Sequence, residues 1–159
     1  MNFSVVEPYA SMFWGGLAVT LEVTGAALVL AFALGAVIAV LKVLPCRPLR
    51  LLLDFYTSVF RGIPLIVLLF IAYFATPQLT GFKISMFAAS VLTLGLNGSA
   101  TVSETLRGGI EGVPQGQREA GEVLGMTKTQ IFFKVTLLQM VKRIVPPMSN
   151  EIITLVKDT

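Results

Sequence analysis

The chain has 159 residues, of which 55% are hydrophobic and only 13% charged, against roughly a quarter charged in ordinary soluble domains; its mean hydropathy is +0.81. That much apolar surface excludes a soluble globular domain. With no histidine and a single cysteine, Cys46, an intrachain disulfide and a Cys/His metal cluster are excluded, and the commonest general base is missing.

The first Lys or Arg is Lys42, so the basic start of a cleaved signal peptide is missing. Met12, Phe13 and Trp14 precede the first span and mark the membrane interface. That span is expected from about Gly16 and is free of charge from Val23 through Leu41. Its Gly25 and Gly35, with Ala27, Ala31 and Ala39, would let a neighbouring helix come close. The loop KVLPCRPLR follows, with Lys42, Arg47 and Arg50 as determinants of topology and Pro45 and Pro48 making the turn.

A second uncharged run covers Gly62 through Phe82, and a third covers Ile84 through Ser103. Neither shows the alternation of a barrel strand, so both read as spanning helices. Arg61 is expected to anchor the cytoplasmic end of the second run, with Pro64 bending it; the alternative is a discontinuous helix lining a substrate path. Glu104 pairs with Arg107 one turn later. Lys and Arg collect after the first span and again at Arg107, Arg118, Lys128 and Lys134, while only Lys83 separates the second and third runs. The N-terminus is therefore expected outside, and the segment from Arg107 to Lys134 in the cytoplasm.

That cytoplasmic segment carries its own signals. Pro114 suits the first turn of a helix reaching Leu124, and Gly125 can close it in the left-handed conformation. Thr127 and Gln130 have the spacing of a capping box that opens a second helix. A helical hairpin is expected over about 108–134, with small residues Ala120 and Gly121 on a face another surface could approach, and Val123 and Leu124 as apolar anchors. A connecting loop needs no such caps. After Lys134 the sequence is apolar in pieces, interrupted by Lys142, Arg143, Pro146, Pro147 and Glu151, and it reads as a fourth span with a polar face. Asn150, Glu151, Lys157 and Asp158 there offer both donor and acceptor groups to a zwitterion. The chain stops at LVKDT with no cap or closing signal, so its C-terminus is expected to be incomplete.

EAGEVLG, Glu119 to Gly125, resembles the EAA signature of the integral membrane subunits of binding-protein-dependent ABC importers. ETLRGGIEGVPQGQREA, FRGIPLIVLLF, TLEVTGAALVLAFALG and PPMSNEIITLVKDT are similar to the polar amino acid (His/Glu/Gln/Arg/opine) permeases of that class, from about Thr20 to Thr159. The resemblance implies an all-α, polytopic transmembrane bundle of the type I importer kind, a single domain over 1–159 with about four spans present and the family's final span missing. It implies a coupling helix that docks on an ATPase subunit through Glu119, Ala120, Gly121 and Gly125, with Arg107, Gly108 and Gly109 leading into it. Two departures stand out: Gly121 where the signature has alanine, and Leu138 where the family has proline.

The expected function is that of a permease subunit importing polar amino acids in a bacterial inner membrane. No Gly-rich phosphate loop is present, so ATP and Mg belong to a separate ATPase, and the chain itself is expected to hold no cofactor or metal and to have no catalytic residues. A second permease subunit and an extracytoplasmic solute-binding protein complete the expected partners, with no nucleic acid among them. Arg61, Asn150, Glu151, Lys157 and Asp158 are the candidates for the substrate path. The alternatives are an autonomous secondary transporter or channel, which needs no docking hairpin, and an intramembrane enzyme, for which paired acids within a span are lacking.

Overall fold

A computed structural model describes residues 9–159, and every element among them is helical. The N-terminal flank, expected to face outward for its lack of Lys and Arg, has its residues 1–8 outside the described residues. Helix α1 (Ala10–Val43) has 34 residues, about 51 Å at 1.5 Å per residue and so longer than the hydrocarbon core of about 30 Å. Met12, Phe13 and Trp14 are inside its first turns rather than ahead of it, and all three are exposed.

α2 (Arg47–Gly62) starts directly after the Pro45 turn, so much of the expected basic loop is helix, with Pro48 in its first turn. The second apolar run is not one straight helix. α3 (Leu65–Phe70) passes through a π-turn (Ile71–Ala75) into α4 (Thr76–Thr80), and this unit is bent from α2 by 103° at the Ile63–Pro64 break. Pro64 therefore separates two helices, where the sequence reading favoured a bend within one. α1 and α5 (Met86–Glu111) are each long and apolar enough to cross a membrane, and the bent pair supplies a third crossing if it counts as one span. α5 reaches a full two turns beyond the uncharged run, so Glu104, Arg107, Gly108 and Gly109 are helical.

The hairpin helices α6 (Gln115–Val123) and α7 (Lys128–Ile131) follow, and α7 runs through a second π-turn (Phe132–Thr136) into α8 (Leu137–Asp158). α8 has 22 residues, a spanning length. Its charges keep it out of the set of purely apolar spans, so it is the fourth long segment only with its polar side turned from lipid. It continues through Pro146 and Pro147. Leu138 lies exposed in this helix just after the π-turn.

The core is where α1 and α5 cross, with α8 against both: Val23, Ala27, Ala31, Leu94 and Leu155 are buried together. Small residues make the crossing close. Gly35 faces Val102 and Ser99, Gly95 faces Leu30, and Gly98 faces Ala31, each so near that an added Cβ would stand 3.0 Å or less from the neighbour. Gly25 has open space instead and takes no part.

Candidate functional site

The hairpin is a built unit. Pro114 caps α6 from outside, one position earlier than expected, with extended ψ of 137°. At the other end Gly125 takes φ +72°. Its N–H donates to Glu122 O (2.9 Å) and the Met126 N–H donates to Gly121 O (3.0 Å), the paired bonds of a Schellman closure, which need a left-handed residue at that position. Two residues on, Thr127 Oγ1 accepts from the Gln130 N–H (3.3 Å), while the Thr127 N–H donates to Gln130 Oε1 (2.9 Å). Both bonds of the capping box are formed.

Three contacts hold α6 on the rest of the chain. Arg118 Nη2 donates to Ile110 O at the end of α5 (3.0 Å), and Gln139 Nε2 in α8 donates to Gln117 Oε1 (3.0 Å). Gly121 is buried beneath Ile131 of α7, and a Cβ there would meet Ile131 Cγ1 at 2.8 Å. The small face at Gly121 is thus used inside the hairpin and is not open to a partner, which corrects the expectation. It also accounts for glycine where the signature has alanine, since Ile131 occupies the methyl's place. Ala120 and Glu119 remain exposed, Glu119 accepting from Gln115 Nε2 (2.8 Å). Val123 and Leu124 are 87% and 79% exposed, among the most open apolar residues of the chain.

The expected hairpin boundary moves as well: the turn begins at Gly112, and Arg107, Gly108 and Gly109 form the last turns of α5. Gly109 is buried against Ile144 of α8, and Gly108 is exposed. Arg107 pairs with Glu104 as expected (Nη2 to Oε2, 2.7 Å) and also with Glu111 (Nη1 to Oε2, 2.7 Å).

Glu104 has a second partner that sequence reading missed. Lys42, with its side chain 1% exposed, reaches Glu104 Oε1 at 2.6 Å and Asp54 Oδ1 at 2.8 Å, and it donates to Thr57 Oγ1 at 2.9 Å. An open cavity of about 530 Å³ lies beside this cluster, lined by Lys42, Asp54, Arg61, Glu104, Arg107 and Arg118 among others. Two more polar ties join α2 to α5. Tyr56 Oη donates to Leu96 O (2.9 Å) beside Ser99 Oγ (2.7 Å), and Asn97 Nδ2 donates to Phe60 O (2.6 Å).

Among the candidates for the substrate path, Glu151 is half-buried with Oε1 near Gly98 of α5, and Arg61 and Asp158 lie within its electrostatic reach. Arg61, Asn150, Lys157 and Asp158 are exposed. The fold therefore brings Arg61, Glu151 and Asp158 into one neighbourhood, although Arg61 is far from the other two in sequence.

The family described as the inner membrane component of binding-protein-dependent transport systems matches residues 31–159. The chain belongs to that family. This inner membrane component is 41% identical over 159 residues to the arginine transport system permease protein ArtQ of Bacillus subtilis (strain 168), covering 100% of the chain and 73% of that relative. It is 42% identical over 144 residues to the putative glutamine transport system permease protein GlnP of Rickettsia bellii (strain RML369-C), covering 91% of the chain and 66% of the relative. The crystal structure of an amino acid ABC transporter with histidines matches it with a TM-score of 0.91 at 36% identity, over 99% of this chain and 73% of that one. An inward-facing structure of the MetNI methionine ABC transporter shares the fold, at a TM-score of 0.61 and 24% identity over 91% of this chain and 68% of that one. The component thus spans about two thirds to three quarters of the length of these relatives. It is an integral membrane protein of helical build.

Proposed function

We propose that this chain is the membrane-spanning permease subunit of an ABC transporter that imports polar amino acids across a bacterial inner membrane, N-terminus outside. ATP and Mg are bound and turned over on a separate ATPase subunit, and this chain carries neither a cofactor nor a catalytic residue. A second permease subunit, identical or related, closes the pathway, and an extracytoplasmic solute-binding protein delivers the substrate. The observation that carries this reading is the hairpin: a short helix, closed at its C-terminus, followed by a second helix with a capping box, and tied to α5 and α8, with Val123 and Leu124 turned outward. A rigid element with a protruding apolar end fits a cleft on a partner and passes a push to the helices it is bonded to.

Within this reading Glu119, Ala120 and Gly125 belong to the docking end, Gly121 to the hairpin's inner packing, and Arg107, Gly108 and Gly109 to its base. Arg61, Glu151 and Asp158, with Asn150 and Lys157 beside them, line the path of a zwitterionic amino acid. Co-purification of the full-length subunit with its ATPase tests the proposal. Val123→Asp, Leu124→Asp and Glu119→Lys are expected to lose the ATPase or ATP-driven uptake. Retention of both in all three variants leaves the hairpin a simple loop and favours an autonomous transporter or channel.

A further inference from the structure

Lys42 is the one lysine whose side chain is almost wholly withdrawn from solvent among the described residues, at 1% exposed. Its ammonium group has three N–H donors and meets three acceptors, one carboxylate and one hydroxyl from α2 (Asp54, Thr57) and one carboxylate from α5 (Glu104). Lys42 itself ends α1, and its own carbonyl accepts from Arg50 Nε of α2 (3.1 Å). Three helices thus meet at one nitrogen. From Glu104 the contacts continue through Arg107 to Glu111, and Arg118 of the hairpin bonds Ile110 O beside it.

Lys42 is the buried member of this cluster, while the Asp54 side chain is half exposed and Glu104 keeps Arg107 as a second partner. Desolvation of the lysine offsets much of the attraction, so the cluster is a weak source of stability. Its effect is geometric: a fully satisfied cluster admits one arrangement of the helices that supply it. We infer that Lys42 is a positioning residue that makes the ends of α1, α2 and α5 move as one body when the hairpin is pushed, carrying the motion to the 103° break after Gly62. This inference rests on the coupling role proposed for the hairpin. The Tyr56 and Asn97 bonds hold the next turns of α2 to α5, so the break is the first place beyond the cluster where α2 can be re-aimed.

The test uses the full-length complex with its ATPase and binding protein in proteoliposomes, comparing wild type with Lys42→Met and Lys42→Arg. Spin labels are placed at Val40→Cys and Phe55→Cys in a Cys46→Ser background; both sites are open in this chain, at 66% and 68% exposure. In the parent the label distance is expected to be the same with and without trapped nucleotide. In Lys42→Met it changes between the two states by about 1–2 Å or more, amino acid carried per ATP falls at least about fivefold, and Lys42→Arg restores much of both. Unchanged transport per ATP and an unchanged label distance in Lys42→Met overturn the inference. Should Lys42→Met fail to assemble, the double variant Asp54→Asn, Thr57→Val, which cuts the tie to α2 and leaves Lys42 with Glu104, decides by the same distance measurement. Full uptake in the Val123 and Leu124 variants defeats the coupling reading separately, because the label distances report on the helix ends alone.

Discussion

Pro64 has no N–H to give to the carbonyl of Phe60, four residues earlier. Asn97, across the interface in α5, donates to that oxygen at 2.6 Å. Asn97→Leu is therefore expected to strand a part-buried carbonyl at a cost of about 1–3 kcal/mol, seen as a lower thermal unfolding midpoint of the full-length protein, with α2 and α3 loosened in hydrogen exchange. The missing proline N–H can be read in the sequence, but the group that replaces it comes from a distant segment and cannot. Gly121 poses a contest of magnitudes at the same scale. Alanine there would gain about 1 kcal/mol of helix propensity, yet its methyl would meet Ile131 at 2.8 Å, and overpacking costs about 1–3 kcal/mol. Gly121→Ala is expected to lower the unfolding midpoint of the wild type but not that of an Ile131→Ala background, in which the clashing Cγ1 is gone.

At the scale of elements, the hairpin was the most legible part of the molecule. Gly125, Thr127 and Gln130 act over three or four residues, and short-range rules for helix ends describe them fully. The φ of +72° at Gly125 makes Gly125→Val a strained change of about 1–3 kcal/mol, although open space surrounds the Cβ position. Limited proteolysis is expected to cut the variant faster between Leu124 and Thr127 while α1 and α5 stay protected. The breaks were less legible. Pro64 announced a bend, but whether a helix kinks or turns by 103° depends on what receives α3 on the far side, which is α5. Both π-turns, at Ile71–Ala75 and Phe132–Thr136, left no mark in the local sequence that hydropathy or capping rules could find.

The molecule as a whole rests on the α1–α5 crossing. Gly25 and Gly35 looked equivalent in the sequence, and only one of them lies in the contact. Gly35→Val is expected to push against Val102 and the Ser99 carbonyl and to destabilise the bundle by about 1–3 kcal/mol. Gly25→Val meets nothing within 4 Å, so its unfolding midpoint should stay near that of wild type within this chain. Comparing the two midpoints separates a packing role from a general dislike of valine in a helix. A membrane environment sharpens the difference, because helices in lipid are held by close packing and polar ties and gain little from burying further apolar area.

By itself the sequence determined that the chain is helical and membrane-embedded, that a capped hairpin separates α5 from α8, and which family's signature the hairpin carries. These follow from long apolar runs, charge placement and helix-end chemistry, all of which act locally along the chain. Only the tertiary structure decided that Lys42 is buried among Asp54, Thr57 and Glu104, that Gly121 serves Ile131, and that Arg61 comes within reach of Glu151. A lysine at the end of an apolar helix looks the same in sequence whether it faces lipid headgroups or three acceptors. Its surroundings come from helices whose crossing is set by side-chain volume across the interface, and no spacing within one segment records that.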